Sequence, residues 1–93
     1  MRPGEIRVRL DTKTPRTVVV LSSETFNLMT KRVLVAPLMA TDQVLAGVPA
    51  EGGFIGFQMI HSVLVSALSE PRGHVGDEAV DEAHSLVAGA MTR

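Results

Sequence analysis

Residues 16–21 read RTVVVL, three valines and a leucine in unbroken succession. β-Branched residues without polar alternation mark a strand covered on both faces. In a chain of 93 residues that requirement is demanding, because a domain of this size buries only about 60–65% of its unfolded surface. The segment before it, EIRVRL (Glu5–Leu10), has the opposite character. Ile6, Val8 and Leu10 point inward and Glu5, Arg7 and Arg9 outward, the period-2 pattern of a half-buried strand. Between the two lies DTKTP, a turn punctuated by Asp11 and Pro15.

The remaining segments continue as short elements. Ser22 and Ser23 cap a short helix, SETFNLMTK, in which Phe26 and Met29, three apart, share a face. KRVLVAPLMA is a third strand, confined by Pro37 to an edge or a bulge. TDQVLAGVPAEGG reads as turn, strand, turn, and GFIGFQMIHSV as one regular strand. In such a strand Gln58 and Ser62 share one face while His61 points to the other. The final GDEAVDEAHSLVAGAMTR is an amphipathic helix, with Val80, Ala83, Leu86, Val87, Ala90 and Met91 as its apolar stripe. Its early Asp and Glu residues and terminal Arg93 complement the helix dipole. His84, three residues after Asp81, reads as part of a solvated pair on the polar face. Five or six short strands with a helix packed on them predict a mainly β chain, an antiparallel barrel plus helix, forming a single domain over residues 1–93.

Composition narrows the function classes. The absence of cysteine excludes a disulfide framework and a thiolate metal site, and His61, His74 and His84 have no metal-ligand spacing. No cofactor is expected. No apolar run reaches the roughly 18 residues of a membrane span, and MRPGEIRVRL contains no signal-peptide h-region, so a cytoplasmic protein without a membrane partner is expected. Net charge is −1, yet Arg2, Arg7, Arg9, Lys13, Arg16, Lys31 and Arg32 crowd the first third. That distribution permits phosphate binding and equally suits solvated strand edges.

Three ordered segments, RPGEIRVRLD, PRTVVVLSSETFN and RVLVAPL, resemble the signature segments of the MazF/PemK (Kid-like) toxin family, and QMIHSVLVSALSEPRGHVGDEAV is similar to the family's later half. The resemblance implies an SH3-like barrel that forms a homodimer and cuts single-stranded RNA at short sequences without a metal. It also implies a small acidic antitoxin as partner. Arg16 matches the family's arginine at the start of the second strand, and a guanidinium fork suits phosphate oxygens. The family's threonine at the end of VAPIT is Met39 here, with Thr41 two residues on. His61 occupies an arginine column, Gln58 an aspartate column and Ser62 a threonine column, and the short DTKTP loop leaves Lys13 as its only cation.

Arg16, Thr41, Ser62 and His61 are thus candidate catalytic residues, and Lys13, Arg16, Gln58 and Ser62 candidate RNA contacts. Each has a plainer reading: Arg16 as a surface ion pair, Thr41 as a turn residue, His61 as a core or dimer contact. With no Trp or Tyr, and with Phe26, Phe54 and Phe57 in core-like contexts, base stacking is expected to be weak. The alternative is a non-catalytic barrel of the same fold that binds RNA without cleavage or poisons a protein target such as gyrase. Met39 and Gln58 favour that alternative, whereas the ending AGAMTR lacks the Trp-Gly-Ile of the gyrase-poisoning toxin.

Overall fold

A computed structural model describes residues 1–40 and 47–92. Among the described residues are seven antiparallel strands: β1 (Glu5–Arg9), β2 (Arg16–Val20), β3 (Arg32–Met39), β4 (Val48–Ala50), β5 (Gly53–Ile55), β6 (His61–Leu64) and β7 (Gly73–His74). Helix α1 (Glu24–Thr30) follows β2, and helix α2 (Asp77–Ala90) follows β7. The expected β-sheet chain with a short helix after the second strand and a longer one at the end is what forms.

β3 organises the sheet. One side pairs with β2, and the other pairs first with β6 through Arg32–Val35 and then with β5 through Leu38 and Met39. Pro37 therefore lies in a central strand, not at the edge or bulge expected from its chemistry. It is tolerated because it falls at the changeover from β6 to β5. Its carbonyl accepts from the Gly56 N–H at 2.9 Å on that side, and no ladder bond there requires the N–H that proline lacks.

The sheet closes through a segment that is mostly not strand. After β6, residues 65–72 return along the free edge of β1. The Leu10 N–H donates to the Ala67 carbonyl at 2.8 Å, Ser69 N–H to Val8 at 2.8 Å and Arg72 N–H to Ile6 at 2.7 Å. The resulting ring encloses Val18, Val20, Val33, Val35 and Val63, with Met1, Val65 and Leu68 packed against them. On the outer face of the same sheet Val19, Leu21, Ala36 and Ile55 meet Val75, Ala79, Val80 and Ala83 at the start of α2. β2 thus sends Val18 and Val20 to one core and Val19 to the other, joined there by Leu21 just past its end, as the unbroken apolar run predicts.

Several orientations differ from the sequence expectation. Ile6 packs against the α2 core, but Leu10 is 59% exposed because β1 has ended. Arg7, expected outward in solvent, is 13% exposed and bonded to Glu5 and to the Ser69 carbonyl inside the ring. In α1 the buried residue is Asn27, not Phe26 or Met29. Asn27 takes the inner position because its side chain is bound to Ser22, through both hydroxyl and carbonyl, and to the Met1 carbonyl. Ser23 caps α1 as expected, accepting from Phe26 N–H at 3.2 Å. The α2 stripe is buried only in its first half, and Leu86 and Met91 are exposed. His84 is not part of a solvated pair: its Nε2–H donates to the Leu21 carbonyl at 2.7 Å.

A candidate phosphate-binding recess at the barrel mouth

The run GFIGFQMIHSV is not one strand. β5 ends at Ile55, a 3-10 turn occupies Phe57–Met59, and β6 starts at His61. Parity therefore does not carry through from Gln58 to Ser62. Within β6 alternation holds: His61 and Val63 face the ring interior beside Val35 and Val33, and Ser62 and Leu64 face outward.

This turn delivers His61 to one mouth of the barrel, opposite the hairpin joining β1 and β2. In that hairpin Arg9 and Arg16 are register partners, so both side chains leave the sheet on the same face. The result is a recess of about 260 Å³ with Val18 and Pro37 at its floor, Thr12 and Met59 at its rim, and Arg9, Arg16 and His61 around it.

The polar geometry is specific. Arg9 Nη1 lies 2.9 Å from His61 Nε2, and His61 Nδ1 lies 3.0 Å from the Met59 carbonyl oxygen. A guanidinium only donates and a carbonyl only accepts. The ring must therefore be neutral, with the proton on Nδ1 and the lone pair of Nε2 turned toward Arg9. Arg9 is held in turn by Asp11, with Nε donating to Oδ1 at 2.6 Å and Nη2 to Oδ2 at 3.3 Å. The Arg9 hydrogen bonds hold the Asp11 carboxyl below its ordinary value, assisted by the charge of Arg9. Arg16 differs: it is exposed, and among the described residues its side chain has no hydrogen-bond or ion-pair partner.

Of the residues singled out from sequence, the structure brings Arg16 and His61 into one recess. Lys13 is exposed on the turn at its rim, beside Thr12. Gln58 is exposed in the 3-10 turn next to Met59. Ser62 is not in the recess: its hydroxyl accepts from Arg32 Nε at 2.7 Å on the outer face. Met39 is half-buried opposite Phe54, and Thr41 lies outside the described residues. Phe26 is 38% exposed and so does not occupy the core-like setting expected of it. The residue overlooked is Arg9. Its signal was the symmetry of two arginines across the DTKTP turn, which a hairpin places side by side.

No protein-family model matches the chain, and no curated protein sequence matches it. Solved structures do. The MazE–MazF complex from Deinococcus radiodurans superposes with a TM-score of 0.81 at 15% identity, covering 98% of this chain and 94% of that one. An endoribonuclease in complex with its cognate antitoxin from a Mycobacterial species gives 0.78 at 14% identity, with 100% and 99% covered. MazF alone from Deinococcus radiodurans gives 0.77 at 16%, with 98% and 96% covered. The chain shares the fold of these toxins along its whole described length.

Proposed function

We propose that this chain is a MazF/PemK-type toxin, an endoribonuclease that cuts single-stranded RNA by metal-independent transesterification at the barrel-mouth recess. The observation that carries the reading is an arginine without a side-chain partner beside a neutral histidine, on a fold shared with MazF toxins over the full chain.

In this reaction the ribose 2′-oxygen bonds to the adjacent phosphorus and the bond from phosphorus to the 5′-oxygen breaks. The 2′-hydroxyl proton passes to Nε2 of His61, and the departing 5′-oxygen takes a proton from water. Arg16 binds the phosphoryl oxygens as negative charge grows on them. In this reading His61, on β6, and Arg16, on β2, approach the phosphate from different strands. Lys13 and Gln58, exposed on either side, extend the RNA contact along the rim.

A homodimer and a small acidic antitoxin belong to the same reading. Leu28, Met29 and Leu64 are exposed beside the cations Lys31 and Arg32, and apolar surface next to positive charge suits an acidic amphipathic partner. No helix among the described residues is long and apolar enough to cross a membrane.

The test is incubation of purified protein with a long RNA in EDTA. Cuts at a short recurring motif, lost in Arg16→Ala, are expected. An intact RNA overturns the reading, and a supercoiling assay with gyrase then examines the non-catalytic alternative that Met39 favours.

A further inference from the structure

Arg9 bridges the barrel mouth from β1 to β6. Its three polar nitrogens are divided between two neighbours: Nη1 to His61, and Nε and Nη2 to Asp11. The bond to His61 covers the one ring nitrogen with a free lone pair, because Nδ1 is committed to the Met59 carbonyl. A histidine so covered accepts no proton from a substrate until the guanidinium moves. Arg16, directly across the hairpin in register, makes no such commitment.

We propose that Arg9 is a positioning residue that caps the Nε2 lone pair of His61 in the free protein and transfers to the substrate phosphate on binding, uncovering Nε2. The inference rests on the endoribonuclease reading and adds a residue to it. Three features support it. Arg9 and Arg16 flank the same recess, so a single phosphodiester there meets two guanidinium forks. Asp11, fully ionised, tethers Arg9 by its far edge while the edge toward His61 stays free to exchange partners. A phosphate offers the Nη1 group a charged acceptor in place of a neutral nitrogen, which adds a charge–charge attraction that the bond to His61 lacks.

The experiment reads the histidine ring directly. In the full-length protein labelled with ¹⁵N, ring correlations of His61 are expected to show the proton on Nδ1. In Arg9→Ala the Met59 carbonyl still selects the Nδ1–H form, but the unprotonated Nε2 loses its donor and its resonance moves downfield, whereas Arg9→Lys, which keeps a donor of similar reach, retains the wild-type pattern. Inorganic phosphate titrated into the wild type shifts the Arg9 Nη and His61 Nε2 signals together, and Asp11→Asn, lacking the competing carboxylate, binds phosphate about threefold more tightly. RNA cleavage by Arg9→Ala falls about 10- to 100-fold in kcat with a smaller change in KM.

An unchanged His61 Nε2 resonance in a folded Arg9→Ala protein overturns the proposal, as does phosphate that moves the Arg16 signals without those of Arg9. Wild-type protein that shows the tautomer and phosphate responses yet leaves RNA intact overturns the endoribonuclease reading and leaves the role of Arg9 at the anion site standing.

Discussion

His61 and Ser62 are neighbours in β6, and each is hydrogen-bonded to an arginine, yet the two pairs are different devices. Ser62 and Arg32 lie on the outer face, where both are exposed and bind chiefly each other. His61 and Arg9 meet across a barrel mouth, next to an ionised Asp11 and an uncommitted Arg16. A mutually satisfied surface pair has little left to offer a ligand. A cation with one edge on a carboxylate and the other on a weak neutral acceptor, with a second cation beside it, keeps that second edge for an anion. Donor inventory alone does not separate these regions; enclosure and the neighbour across the hairpin do.

The largest expected effect sets the two arginine sites against each other. Arg16→Ala lowers kcat/KM for RNA cleavage by about 100- to 1,000-fold, as removal of a transition-state donor does elsewhere. Arg32→Ala changes it by less than about threefold. Equal losses would erase the distinction between the faces. Stability offers the next contrast: Val63→Ala, inside the ring at 2% exposure, costs about 2 kcal/mol in denaturant unfolding. Leu64→Ala, at 51% exposure, stays within about 0.5 kcal/mol.

Acid titration probes the ring interior itself. Burial alone would raise the Glu5 carboxyl, but the hydrogen bond and charge of Arg7, with further help from the backbone of Arg2, bring it net below its usual 4.5. A carboxylate whose folded value is depressed contributes stability that is present above pH 4.5 and lost as pH falls below it. Glu5→Gln is therefore expected to lower the melting temperature at pH 7 and to flatten its decline below pH 4.5; an unaltered acid limb would remove Glu5 from the account. The smallest effect is at Ser62→Ala, with unfolding free energy and cleavage both near wild type, within about 0.5 kcal/mol and threefold.

Much of the scaffold was legible because its determinants are local. RTVVVL announces a strand with two covered faces, Ser23 announces a cap, and the spacing from Asp77 onward announces a helix. The reading failed where a distant partner decides. Asn27 faces inward because Ser22 and the Met1 carbonyl receive it, and no periodicity of apolar residues shows that. The 3-10 turn at Phe57–Met59 replaced a regular strand because Pro37 accepts from Gly56 and ends the pairing with β5 there. Arg16 was singled out through its match to the arginine of the resembling family at a strand start. Arg9 was not, since its partner His61 stands 52 residues away and meets it only through the closed ring.

That closure also dates the recess in the life of the chain. The contacts that seal the ring, such as Val8 with Ser69, join residues 61 positions apart, and such distant loops are the slowest to form. A nascent chain that has completed only the β1–β2 hairpin displays Arg9 and Arg16 but has neither histidine nor enclosing wall. The two halves of the recess therefore come together late, after nearly all of the polypeptide has left the ribosome. A truncated or stalled product carries the cations of this protein without its chemistry.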